Sequence, residues 1–410
     1  MARHLFVAAT PFAFGEAFVG ARIAADLKAQ GEDVTVIAPQ ALRPLLQGHA
    51  AKIGWLDGAS SVLAEAILAV AKEQRCRAVC LVDIAAVTQV LAGLRHSLDP
   101  LFASPVPIIG LDMWGLGDTD LVWDYWQETF KTDARVLRWP RLTTVPMARP
   151  TAQGAFSCFE PIAPPSAGER AAARAALGIG DGARAIVWPT ARWQITREQP
   201  MAIRRHMFDA TKTLAVRTLA QLGDDVILVH VGPEPMAEGA ALGRRYRFLP
   251  QIGHARFLDV LRAADLYFGL NVTATSAMSA LALGVPAIIG VHSGRLPAAP
   301  SPVVRAALAQ LEPYPYLMWA LGLTRFLGQI FDGNPYVTEA LRLVELFDTD
   351  AVLAAARAYL RDPAAADAQR HSVAAYRARV DDLPSGVERY RALVAGAWSA
   401  RARNAERTSR

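Results

Sequence analysis

Residues 271–291 read NVTATSAMSALALGVPAIIGV. Small and hydroxylated side chains come first, then the run 277–283, which has no charge and no β-branched residue, and then Gly284-Val285-Pro286 before the apolar segment 287–291. That order is loop, helix, tight turn and strand. Gly284 allows the turn and Pro286 fixes the entry into the strand. A strand apolar at every position is buried on both faces, as in a parallel sheet covered by helices.

The same grammar extends in both directions. Upstream lie AIVWPT (185–190), a long helix from about 199 to 222, DVILVHVGP (225–233), YRFLPQI (246–252), the helix HARFLDVLRAA (254–264) and DLYFGL (265–270). The first third alternates likewise: HLFVAA (4–9), a helix over about 15–30, DVTVIAP (33–39), a helix near 60–74, AVCLVD (78–83) and VPIIGLD (106–112). Between the two halves, RWPRLTTVPMARPTAQGAFSCFEPIAPPSAGER (138–170) carries six prolines, Pro140, Pro146, Pro150, Pro161, Pro164 and Pro165. It reads as an irregular interdomain linker. The expected fold is therefore α/β, with two Rossmann-like domains facing across a cleft at the carboxyl ends of their strands. Domain one spans 1–160 and domain two 161–380. Within the second, the aromatic, apolar text of 297–347 suggests a helical insertion, with a homodimer contact through 311–337. Residues 381–410 form a C-terminal helix and basic tail.

At 410 residues and 52% hydrophobic, the chain is long enough for two cores of roughly 100–200 residues each and too apolar for disorder. A formal charge of +5, from 43 basic against 38 acidic residues, comes without a concentrated basic stripe, so nucleic acid is not an expected partner. The three cysteines, Cys76, Cys80 and Cys158, have neither disulfide-framework nor zinc spacing, and the aspartates have no metal-ligand spacing. The apolar N-terminal stretch is broken by Pro11, Gly15 and Glu16, and no run reaches about 18 uncharged apolar residues, so the expected location is cytoplasmic, with at most peripheral membrane contact.

The order P-Q-I-G-H-x-x-F-L-x-x-L-x-x-A-D-L, an Asn/Thr/Ser loop, and S-A-L-A-L-G-V-P resembles the donor half of GT-B glycosyltransferases over 247–291. The resemblance implies a nucleotide diphosphate seated on the start of the helix. There Thr273, Thr275 and Ser276 offer hydroxyls and backbone N–H groups, and the helix N-terminus favours negative charge. Many members carry Glu where this chain has Ser279, and that carboxylate grips the ribose hydroxyls. Ser279 cannot do so: another group holds the ribose, the donor is unusual, or this half has lost the donor.

Further candidates follow from the same resemblance. Glu16, after Gly15 in the first β–α turn, stands where several relatives have a general-base His, and Asp112 is the second-choice base. GLDMWGLGDTDLVWDYW (110–126) gathers aromatic and carboxylate side chains suited to a sugar or polyhydroxylated acceptor. Arg192, with Thr190 and Gln194, is placed to meet the departing diphosphate. Gly232 and His254 are expected near the nucleotide. The implied activity is metal-independent transfer of a sugar from a nucleotide-diphosphate donor, a substrate and not a cofactor, to a small-molecule, lipid or peptide acceptor. A sugar-nucleotide 2-epimerase-like enzyme and a catalytically idle GT-B partner protein are the alternatives.

Overall fold

The computed structural model describes residues 3–10, 14–46, 52–56, 64–93, 95–125, 128–191, 202–250, 252–291 and 324–408. The chain divides into two units, one of 1–122, 131–158 and 379–410, the other of 123–130 and 159–378. Among the described residues no helix is long and apolar enough to cross a membrane.

The first unit is built on β1 (Arg3–Ala8), β2 (Asp33–Pro39), β3 (Lys52–Leu56), β4 (Ala78–Val82) and β5 (Ile108–Asp112). The two-stranded sheet of β6 (Val122–Tyr125) and β7 (Glu128–Lys131), of which 123–130 belong to the second unit, precedes β8 (Arg141–Val145) and β9 (Ala155–Ser157). The sheet runs β3-β2-β1-β4-β5-β8-β9 with every described pairing parallel. β4 is buried at every residue, as its unbroken apolar text requires, and so is β5, including Asp112 at its end. β8 and β9 lie inside the stretch expected to be an irregular linker. The prolines explain the difference: Pro140 and Pro146 bracket β8 without entering it, so its five residues keep every N–H for the ladder. The linker proper begins near Phe159, where the second unit starts.

The helix Gly386–Thr408 is not a separate appendage, as its place at the end of the chain suggested, but part of the first unit. Tyr390 is fully buried, its hydroxyl 3.0 Å from His4 Nδ1 and its ring 5.3 Å from that of Phe6. Trp398 donates its indole N–H to the Arg77 carbonyl at 3.1 Å.

The second unit holds β10 (Arg184–Pro189), β11 (Val226–Gly232), β12 (Tyr246–Pro250), β13 (Leu266–Gly269), β14 (Ala287–Val291) and β15 (Arg342–Glu345), ordered β12-β11-β10-β13-β14-β15 and parallel throughout. β15 corrects the helical reading of 297–347: the described part of that region is the helix Thr324–Phe331, a single π-turn at Tyr336–Ala340 and an edge strand. Phe326, Leu327, Phe331 and Tyr336 are fully buried, with Phe326 stacked on Trp123 at 3.6 Å, so these residues of 311–337 serve this unit's core and not an exposed dimer face. Residues 311–323 fall outside the described residues. At the amino ends of the strands, Asp265 accepts from Arg170 at 2.7 Å, Arg174 at 3.1 Å and the Ala185 N–H at 2.7 Å, tying β10, β13 and the helix Ala167–Ala176 together.

Candidate functional site

Both sheets have the same order relative to their own first strand, and in both the direction of winding reverses beside that strand: between β1 and β4, and between β10 and β13. Ligands of open parallel sheets bind at the carboxyl ends of the strands at such a reversal. The side chains at the two reversals differ.

In the second unit, β13 leads through Leu270–Ala274 into the helix Thr275–Ala282, which starts on Ala274 with no side chain capping it. Burial divides the opening stretch in two. Ala277–Leu283 are buried and pack the helix on the sheet, whereas Thr273, Ala274, Thr275 and Ser276 are half-exposed. Asn271 shapes the loop, its Oδ1 accepting from the Thr273 N–H at 3.0 Å and the Thr273 hydroxyl at 2.8 Å. Ser276 Oγ lies 2.8 Å from the hydroxyl of buried Tyr267. The result is an uncapped helix start with hydroxyls beside it, the surroundings an oxyanion favours. Gly284 closes the helix at φ +73°, a left-handed turn that a side chain would strain.

Ser279 is buried at 6% exposure, and its hydroxyl donates to Glu160 Oε1 at 3.0 Å. The other oxygen of Glu160 lies 2.7 Å from His254 Nε2, at the first residue of the helix His254–Arg262. Two residues expected to meet the nucleotide thus hold a carboxylate that sequence reasoning passed over as linker. The available signal was that Glu160 is the only charged residue between Arg149 and Glu169.

At the end of β10, Thr190 Oγ1 lies 2.7 Å from Nε2 of fully buried His230 on β11. His230 Nδ1 is 2.7 Å from the Tyr246 hydroxyl, which accepts from the Met236 N–H at 2.8 Å. Burial, with a smaller contribution from the Lys212 charge, pushes the His230 pKa down to about 4, so the ring is neutral near neutral pH. Gly232 ends β11 against this pair: a Cβ there would collide with the Thr190 hydroxyl and sit 2.8 Å from His230 Nε2. His230 and Tyr246 escaped the sequence reading, the lone histidine in DVILVHVGP being the available signal. Arg192 and Gln194 lie outside the described residues.

The first unit presents carboxylates at its reversal. Glu16 stands in the first turn of the helix Phe14–Ala29, and burial raises its pKa. Asp83 follows β4 at φ +57°, 4% exposed, its Oδ1 accepting from the N–H groups of Ala85 at 3.1 Å and Ala86 at 3.2 Å to start the helix Ile84–Gly93. Its pKa is raised as well, by burial and then by the Glu16 charge. Asp112, the second candidate base, is folded into its own turn. Its Oδ1 accepts from Trp114, Gly115 and Leu116 at 3.0, 2.9 and 3.2 Å, its Oδ2 from Leu116 at 2.9 Å, and Arg141 Nε stands 3.7 Å away. Buried at 1% exposure and saturated by these donors, it organises the loop after β5. Trp114 and Trp123 are buried at 6% and 2%, so they pack cores and do not offer a sugar platform; Trp126 lies outside the described residues.

Comparison with known proteins agrees with this geometry. One family model, described as a family of unknown function (DUF6365), matches residues 23–397. No curated protein matches the chain. Among solved structures, the spinosyn forosaminyltransferase SpnP superposes with a TM-score of 0.56 at 16% identity, covering 96% of this chain and 99% of its own. The glycosyltransferase VinC in complex with dTDP gives 0.56 at 14%, covering 97% and 100%. Anabaena HepE in complex with UDP and glucose gives 0.55 at 14%, again covering 97% and 100%. The likeness establishes the GT-B fold.

Proposed function

The chain belongs to the DUF6365 family, and we propose that it is a glycosyltransferase whose second unit binds a nucleotide-diphosphate sugar and whose first unit activates an acceptor hydroxyl. The observation that carries this reading is Glu160, held between Ser279 and His254 on the unit that carries the uncapped helix start. That helix start suits a diphosphate. A carboxylate fixed by two neighbours suits the ribose hydroxyls, as an acceptor for their O–H groups. The function lost with Glu at 279 returns from residue 160. Solved neighbours with the same fold include one in complex with dTDP and one with UDP and glucose, which favours a nucleotide sugar as the donor.

In the transfer itself, Glu16 takes the proton of an acceptor hydroxyl as that oxygen attacks the anomeric carbon. The bond from that carbon to the diphosphate breaks, and the nucleoside diphosphate leaves with the electron pair. A direct displacement of this kind inverts the anomeric centre. A carboxylate whose pKa is raised by burial is a better base near neutrality than an exposed one. Nucleotide release from UDP-, dTDP- and GDP-sugars, followed with mixed acceptors, tests the reading. Release that needs both Glu16 and an acceptor supports it, and a protein that binds none of these nucleotides contradicts it.

A further inference from the structure

The helix Phe14–Ala29 connects β1 to its parallel neighbour β2, so it runs against the strands and starts at their carboxyl ends. It lies tight on β4: a Cβ on Gly20 would stand 2.7 Å from Val82 Cγ2, and glycine leaves that room. Glu16 is one turn before Gly20 on the same face of the helix, about 6 Å nearer the carboxyl edge. Asp83 is the residue after Val82, about 3 Å further toward that edge. The two carboxyl groups therefore stand together at the reversal, and the Glu16 charge acts on Asp83. Their surroundings differ. Asp83 is 4% exposed, and Glu16 is only half-buried. Among the described residues no cation pairs with either, and of two such carboxyls the deeper one keeps its proton. Burial does most to raise the Asp83 pKa, the Glu16 charge comes next, and the opposing Ala86 N–H ranks below both. Asp112, whose own neighbour is Arg141, adds a smaller push upward. Asp83 also holds a φ of +57°, uncommon outside glycine, where a helix start ordinarily has extended backbone. Its Oδ1 takes the N–H groups of Ala85 and Ala86, which leaves Oδ2 to carry the proton.

From this arrangement we infer that the pair carries one negative charge, on Glu16, and that Asp83 is a neutral carboxylic acid, a positioning residue that confines the charge to the base. The inference rests on the transfer reading above and deepens it. Glu16 takes the acceptor proton while Asp83 keeps its own, so the pair passes from one negative charge to none as the nucleoside diphosphate leaves. An ionised Asp83 would leave a second charge beside the base throughout, repelling both Glu16 and the departing diphosphate.

Infrared difference spectra of the full chain read the charge state, and pH–rate profiles read its effect on the base. The difference between wild type and Asp83→Asn at neutral pH is expected to contain the C=O stretch of a protonated carboxyl. That band should titrate away as the pH rises, and at a lower pH in Glu16→Gln than in wild type, because the charge opposing Asp83 ionisation is gone. An ionised Asp83 in wild type at neutral pH, or a midpoint that Glu16→Gln leaves in place, overturns the inference. Nucleotide release from UDP-, dTDP- and GDP-sugars then gives the profiles. With the sugar that is turned over, the acid limb set by Glu16 should keep its midpoint in Asp83→Asn. A fall of that midpoint by about one pH unit or more means that a like charge has been removed, and it overturns the inference too. A wild type that turns over none of these sugars overturns the proposed function, and the spectra still decide the charge on Asp83.

Discussion

The two sheets have one topology and opposite chemistry at the same place. Beside the first strand of the first unit stand Glu16 and Asp83, carboxyl groups whose ionisation is disfavoured by burial and, at Asp83, by the neighbouring charge. Beside the first strand of the second unit stand hydroxyls, an uncapped helix start and a neutral imidazole, with one carboxylate, Glu160, held between Ser279 and His254. Buried carboxylates disfavour a diphosphate beside them, whereas an uncapped helix start with hydroxyls favours one. The fold supplies two equivalent positions, and the side chains at them differ in chemistry.

The sharpest break in this comparison is Glu16→Gln. It is expected to lower turnover about a hundred- to ten-thousandfold, the usual worth of a general base, while nucleotide affinity stays where it was. Asp112→Asn should do the reverse, since its oxygens serve backbone amides. Turnover falls little, and the first unit loses about 1–3 kcal/mol of stability in denaturant titrations.

At the amino edge of the second sheet, Asp265→Ala strands Arg174, which is 10% exposed, and should cost about 3 kcal/mol without changing the specificity for nucleotide. A similar stability loss accompanied by loss of one nucleotide but not another would blur the contrast between the two ends of the sheet.

The neutral imidazole has its own signature. His230 titrates near 6.5 when unfolded and is pushed down to about 4 in the fold, so its contribution is present above about pH 6.5 and is lost as pH falls toward 4. Across that window the unfolded chain takes a proton that the folded chain refuses, worth about 3 kcal/mol in all. Thermal melts of wild type and His230→Phe between pH 7.5 and 4.5 should therefore converge on acidification. Parallel curves would mean that His230 takes up its proton as readily in the fold as in the unfolded chain. The smallest effect is expected at Thr275→Ala, a few-fold in nucleotide affinity, because the backbone N–H groups of the helix start remain.

The sequence made the strands legible because a parallel sheet buried on both faces needs apolar residues at every position, as in AVCLV and AIIGV. It also marked the loop 271–276, since hydroxyls before a charge-free helix are a local pattern. It hid what depends on contacts between distant residues. Glu160 meets His254 and Ser279 across 94 and 119 residues, and Tyr390 meets His4 across 386. The prolines of 138–170 obscured β8 and β9 because a proline count does not say whether it bounds a strand or interrupts it. Trp114, Trp123 and the aromatics of 324–337 resembled binding surface because an aromatic cluster reads alike in a core and on a face.

Calorimetric titration of UDP, dTDP, GDP and ADP into wild type, Glu16→Gln and Glu160→Ala tests whether the donor edge belongs to the second unit. One nucleoside diphosphate is expected to be preferred, bound equally by wild type and Glu16→Gln and about ten- to a hundredfold more weakly by Glu160→Ala. Affinity that falls with Glu16→Gln and ignores Glu160→Ala, or a wild type that binds none of the four, would contradict it.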